Sequence, residues 1–221
     1  MHAAPELRGD FLPRLAWLVF GLFLCAVGVV LFLESELGMP PWDVLHQGVA
    51  EQAGISFGIA NIVVSAVVLA AAWALRAHIG LGTLLNASLI GVFLIALTAL
   101  DSVTALSEAP LAVRAALLPV ALFCFGAGTA FYIGATMGAG PRDSLMLVVS
   151  RRLGVRIGIA RTGIEIGALL LGFALGGTAG IGTLVFAVGI GPAVELSFWV
   201  LQRTALVAPA VASRPVVGTA R

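Results

Sequence analysis

The sequence predicts an all-α polytopic membrane protein with about six transmembrane helices in two inverted three-helix repeats, joined by short amphipathic or re-entrant helices. Three observations carry that expectation. The 221 residues are 60% hydrophobic and 10% charged, with a mean hydropathy of +1.10. Six apolar runs each reach the length of a membrane span. The chain also repeats itself at an offset of 100 residues. A soluble domain carries about 25% charged residues and less than about half apolar ones. A chain this apolar has too few polar groups to cover its surface in water.

Residues 1–13 read as a cytoplasmic N-terminus. Arg8 and Arg14 followed by an apolar stretch imitate a signal peptide, but Leu15 to Leu33 is span length and Glu34-Ser35-Glu36 follows in place of an A-x-A cleavage site, so a retained helix is expected. The apolar runs cover 14–33, 57–76, 82–100, 114–133, 157–176 and 183–202. At 1.5 Å per residue each crosses a hydrocarbon layer of about 30 Å. Lipid offers no partners to backbone groups, so Ala- and Leu-rich runs of this length form helices. The units are then a first repeat at 14–100, an external linker at 101–113, a second repeat at 114–203 and a flexible cytoplasmic tail at 204–221.

Arginine placement orients the spans, because cytoplasmic loops collect basic residues. All twelve basic residues are Arg. Arg8 and Arg14 precede the first run, Arg76 lies between the second and third, Arg142, Arg151, Arg152 and Arg156 between the fourth and fifth, and Arg203, Arg214 and Arg221 after the sixth. The segment 34–56 carries Glu34, Glu36, Asp43 and Glu51 but no Arg, 101–113 carries Asp101 and Glu108, and 177–182 is uncharged. Basic and non-basic connections alternate, which predicts that both termini are cytoplasmic. Trp17, Trp73 and Trp199 fall near the expected cytoplasmic helix ends, as an interfacial aromatic belt would.

The repeat organises the chain. Without a gap, Gly38, Pro41, Asp43 and Leu45 meet Gly138, Pro141, Asp143 and Leu145, and Gly80, Gly82, Thr83 and Leu84 meet Gly180, Gly182, Thr183 and Leu184. Over 38–91 there are 19 identities in 54 positions, against roughly 5 by chance in so biased a composition. Each unit reads as a long helix, a short segment and a helical hairpin. Three spans is an odd number, so the second unit enters the membrane from the opposite side, a pattern common among secondary transporters. The plain alternative is a duplication that only builds a stable bundle.

Two groups of residues are candidates for a substrate site. The first lies in Gly-Met-Pro-Pro-Trp-Asp43 and Gly-Ala-Gly-Pro-Arg142-Asp143, each opening a short helix, at about 42–53 and 142–153. Proline suits a first helical turn, and an acid there faces the positive end of the helix. Asp43, His46, Gln47 and Glu51 share one face by spacing. These helices either lie on the interface or re-enter the bilayer. Their acids either line a pathway or simply cap the helix starts. The second group is Arg161 and Glu165, one turn apart, with Glu195 just beyond Gly191-Pro192 in the last span. An antiparallel hairpin brings Glu165 and Glu195 to similar depth. Charges inside a span cost about 2.5–3.5 kcal/mol each and therefore need partners or water. The alternative is an internal salt bridge with Arg161 reaching toward the interface. Their counterparts in the first unit are Asn61, Ser65 and Ile95, so the charge is not repeated. Asn86 and Ser88 read as helix-contact polar groups, and Gly163, Gly167, Ala168 and Gly172 as a surface for close helix packing.

Cys25 and Cys124 lack metal-ligand spacing and read as apolar core residues. No cofactor, catalytic set or metal cluster is expected, and a net charge of +1 gives no field for nucleic acid. The quoted Gly-Pro-Asp segments, Arg161-Thr-Gly-Ile-Glu165, the Leu-Gly-Gly-Thr-Ala-Gly-Ile-Gly-Thr183 stretch and Ile-Gly-Pro192 resemble the bacterial YczE-like integral membrane proteins, related broadly to the YitT group. The resemblance runs from about 14 to 202 and implies a polytopic plasma-membrane protein, without supplying a substrate. The expected partners are the lipid bilayer, a small solute or ion, and a membrane protein or second copy. The expected function is a permease working by alternating access; the alternative is a non-transporting accessory or scaffold protein that binds a partner protein.

Overall fold

The computed structural model describes residues 6–207. The main elements are α1 (Phe11–Ser35), α2 (Pro41–Ala53), α3 (Phe57–Ala74), α4 (Leu81–Thr98), the short α5 (Asp101–Thr104) running into a 3-10 turn at Ala105–Glu108, α6 (Leu111–Gly134), α7 (Pro141–Leu153), α8 (Ile157–Ala174) and α9 (Ile181–Gln202). Helices α1, α3, α4, α6, α8 and α9 are long and apolar enough to cross a membrane. The six expected runs all correspond to these helices. The expected linker at 101–113 holds α5, its 3-10 turn and the first residues of α6. Most of the expected tail at 204–221 lies outside the described residues. Its first part is tied down: Leu7 pairs with Val207, and Arg8 N–H donates to the Leu206 carbonyl.

The starts of α2, α3 and α4 recur 100 residues later in α7, α8 and α9. The local reasons recur too. Both short helices start on proline and stop at a left-handed glycine, Gly54 (φ 63°) and Gly154 (φ 66°), a conformation that costs glycine nothing. Gly80 and Gly180 each donate a backbone N–H to the hydroxyl of the threonine three residues on, at 3.1 Å.

Helices α1 and α6 pair antiparallel at the centre. A Cβ on Gly21 would lie 2.7 Å from the Gly128 carbonyl oxygen, and one on Gly28 would lie 2.9 Å from that of Ala121. Only glycine permits this backbone approach. The ends agree with the pairing: Arg14 near the start of α1 donates to the Ala135 carbonyl and the Thr136 hydroxyl past the end of α6, and Arg114 near the start of α6 pairs with Glu36 past the end of α1. Cys25, Ala26, Val29, Leu118, Ala121 and Phe125 fill the core between them.

The short helices are exchanged between the halves. Helix α2 packs against α8 as well as its neighbour α3, and α7 packs against α3 as well as α8. The first two turns of α2 are buried on all sides, from Pro41 to His46. The first half of α2 is therefore enclosed by protein, while its last turn, from Glu51 to Ala53, is exposed. The carboxylates of Asp43 and Asp143 bond to His46 and Tyr132 rather than to a backbone N–H at their helix starts.

The hairpins of the two halves differ. Helices α3 and α4 pack along one another, with a Cβ on Gly58 placed 2.6 Å from the Gly91 carbonyl oxygen. Helices α8 and α9 scarcely touch, and a Cβ added to Gly158 or Gly191, the matching positions, would meet nothing within 4 Å. The expected packing surface on α8 is corrected accordingly. Gly163 and Gly167 face open space, while Gly172 packs on Val44 and Leu45 of α2. Helix α9 continues unbroken through Pro192.

Candidate functional site

Because α2 and α7 enter the bundle from the two halves, their first turns bring Asp43, Arg142 and Asp143 inward. Two cavities meet there. The smaller, about 60 Å³, is lined by Asp43, His46, Asn61, Ser65, Asn86 and Arg142, among others. That is room for more than one water, since one needs roughly 10–15 Å³ by this measure. The larger, about 890 Å³, lies between α8 and α9 and is lined by Arg142, Asp143, Arg161, Glu165 and Glu195, with Ile166, Leu169, Phe186 and Ile190 as apolar wall. Arg142 and Tyr132 border both.

The two cavities are images of each other under the 100-residue offset. Asp43, Asn61, Ser65, Asn86 and Ile90 line the small one; Asp143, Arg161, Glu165, Phe186 and Ile190 line the large one. Their sizes differ because the α3–α4 hairpin is shut and the α8–α9 pair is spread.

The structure thus brings together five of the six residues singled out in the sequence. Arg142, Asp143, Arg161, Glu165 and Glu195 share the large cavity, and Asp43 faces the small one across Arg142. Within the large cavity, Arg161 Nε donates to Glu165 Oε1 at 3.0 Å, one helical turn away, with the Arg161 side chain half-exposed. Asp143 Oδ2 accepts from the Tyr132 hydroxyl at 2.6 Å. The Arg142 guanidinium lies 5.8 Å from the centre of the Phe125 ring, a cation–π distance. Mixed charge beside an apolar wall can hold a small polar or charged solute against both signs.

Three side chains here escaped the sequence reading as site residues. His46 Nδ1 lies 3.1 Å from Asp43 Oδ1 and 3.1 Å from Asn61 Nδ2, and all three residues are buried. Tyr132, the one tyrosine in the chain, borders both cavities. Asn61 carried a signal, since it is the repeat counterpart of Arg161; Tyr132 carried none, because its counterpart is Phe32. Asn86 lines the small cavity, and Ser88 bonds back to the Leu84 carbonyl of its own helix instead of to a neighbouring one. Among the described residues no three His, Cys, Asp or Glu side chains are grouped to hold a metal ion. Cys25 and Cys124 are free thiols.

Comparison with known proteins fits this architecture. Residues 12–198 match the family of unknown function DUF6198. The chain belongs to that family. Among similar proteins, an uncharacterized protein of Haemophilus influenzae is 37% identical over 187 residues, covering 84% of each chain. The uncharacterized membrane protein YczE of Bacillus subtilis is 34% identical over 214 residues, covering 94% of this chain and 95% of its own. The YczE-like character expected from the motifs therefore holds, as does the multi-pass membrane architecture. No solved structure matches the chain.

Proposed function

We propose that this protein is a plasma-membrane permease that moves a small solute or ion by alternating access. In this reading the two halves are threaded through the lipid in opposite senses, and both termini are cytoplasmic. The solute is carried without covalent chemistry. One observation carries the reading: the same cavity occurs twice, about 60 Å³ in the first half and about 890 Å³ in the second. A transporter built from inverted repeats alternates by letting its halves exchange conformations around a site at their interface. A closed α3–α4 with a spread α8–α9 is one end of such a cycle; the other has α3–α4 spread and α8–α9 shut. The antiparallel pairing of α1 with α6, three spans per half, and the alternation of Arg-rich and Arg-free connections support the opposed threading.

Arg142 and Tyr132 sit between the cavities and form the barrier that stays in place while the hairpins move. Arg161, Glu165 and Glu195 supply the charge that a desolvated solute needs. The test is solute counterflow in liposomes containing the purified protein, screened across amino acids, sugars, organic anions, organic cations and inorganic ions. Saturable flux of one class supports the reading. A solute that binds but never crosses, together with a stable protein partner in pull-downs, would replace the permease with the accessory role.

A further inference from the structure

The large cavity is lined by a charged side chain whose hydrogen-bonding capacity the protein leaves unused. Arg161 donates to Glu165, and Asp143 accepts from Tyr132. Among the described residues, Arg142 has neither a hydrogen bond nor a close ion pair. Its guanidinium lies over the Phe125 ring and opens into both cavities. A guanidinium holds five N–H donors in a planar fork, which fits a carboxylate through two parallel bonds. The first turn of α7 reinforces it. Pro141, Arg142 and Asp143 line the same space, and a helix start carries partial positive charge. Helices that begin inside a transporter hold the anionic group of a substrate in this way.

Charge balance narrows the class of solute. Asp143 follows Arg142 in the chain, and Asp43 lines the small cavity with it. Arg142 therefore lacks an acceptor rather than a counter-charge. A bare anion would fill the fork but add a negative charge beside two carboxylates, which is costly away from water. A zwitterion fills the fork and adds no net charge. The cavity can take its cationic end as well. Asp143 uses Oδ2 for Tyr132 and Glu165 uses Oε1 for Arg161. Among the described residues, the other oxygen of each is open to an ammonium group. Ile166, Leu169, Phe186 and Ile190 offer apolar contact beside them. The volume of about 890 Å³ falls within the range of about 300–1,000 Å³ for small-molecule sites.

We propose that the solute is a zwitterionic amino acid with a large apolar side chain. Arg142 holds its carboxylate, Asp143 and Glu165 hold its ammonium group, and the wall between α8 and α9 holds its side chain. This rests on the permease reading and names what is carried. Arg142 suits a handover because it borders both cavities: the carboxylate stays on one fork while access changes sides. The headgroup of phosphatidylethanolamine also pairs an oxyanion with an ammonium group, so the experiment separates the two sources.

The full-length protein is placed in nanodiscs of phosphatidylglycerol, with and without phosphatidylethanolamine, and binding of tritiated phenylalanine is measured by scintillation proximity. Saturable binding, equal in both lipids and displaced by leucine, is expected. Phenylalaninamide lacks the carboxylate, 3-phenylpropanoate lacks the ammonium group and glycine lacks the apolar body; each should compete at least about tenfold more weakly than phenylalanine. Arg142→Gln should weaken phenylalanine at least about tenfold and erase its advantage over phenylalaninamide, which a purely structural role would not do. If Arg142→Gln does not fold, Arg142→Lys, which keeps the charge and loses the fork, carries the same comparison, and the analogue series on the unaltered protein stands by itself. The proposal is overturned by no saturable phenylalanine binding, by an amide or a deaminated acid that binds as well, by a preference that survives loss of the Arg142 fork, or by phosphatidylethanolamine abolishing the binding. Amino-acid binding without flux in liposomes would remove the permease and leave the zwitterion site. Flux of another solute class without amino-acid binding would do the reverse.

Discussion

The hairpins α3–α4 and α8–α9 start from nearly the same instructions and end in different states. Gly58 and Gly91 in the first and Gly158 and Gly191 in the second occupy matching positions, yet only the first pair is in contact. What differs is the charge between them. The first half has Asn61, Ser65 and Ile95 where the second has Arg161, Glu165 and Glu195. Neutral side chains let the first hairpin zip. In the second, Arg161 and Glu165 pair with each other at 3.0 Å and, with Glu195, line the cavity between the helices. The lesson is that the shared glycines do not by themselves bring two helices together, and that the unshared charges line the half that is open.

The comparison can be broken in three ways. The largest effect is expected from Arg161→Met with Glu165→Gln, which removes an ion pair from the cavity between α8 and α9. Liposome flux should fall by at least about tenfold while the protein stays folded, as judged by circular dichroism and gel filtration. Unchanged flux would remove these residues from the site. Next come the glycines. Gly91→Leu forces a side chain into the α3–α4 seam and should destabilise the protein by about 1–3 kcal/mol. Gly191→Leu points into open space and should change stability by less than about 0.5 kcal/mol. Unfolding in mixed micelles measures both, and equal losses would mean that the hairpins are equally shut. The smallest effect concerns the α1–α6 axis that both hairpins share. Glu36→Gln breaks the Arg114 pair at the exposed end of α1, and its cost should stay within about 0–1 kcal/mol. A larger loss would show the axis, rather than the hairpins, to be the sensitive element.

Much of the fold was legible in the sequence, for identifiable reasons. Span length shows in hydropathy, and the Pro41/Pro141 starts and Gly54/Gly154 stops mark the short helices at matching positions in each half. The grouping of Glu165 with Glu195 followed from hairpin geometry alone. Three things were not legible. Periodicity marks a polar face on α2, yet that face is buried with the rest of its first two turns, so its docking onto α8 of the other half was invisible. The capping reading of Asp43 and Asp143 failed because their partners, His46 and Tyr132, belong to the cavity rather than to the helix starts. The opening between α8 and α9 was also hidden: Gly163 and Gly167 spell close packing in sequence, and nothing local distinguishes a glycine in a seam from one facing a gap.

The claim at the centre is that the second hairpin closes as the first does. Spin labels attached through p-acetylphenylalanine at Leu170 and Val188, both exposed on α8 and α9, test it by pulsed EPR in lipid nanodiscs without any knowledge of the solute. Two separations should be populated, the shorter one belonging to a second hairpin closed as the first is. A single separation under every condition would contradict the account.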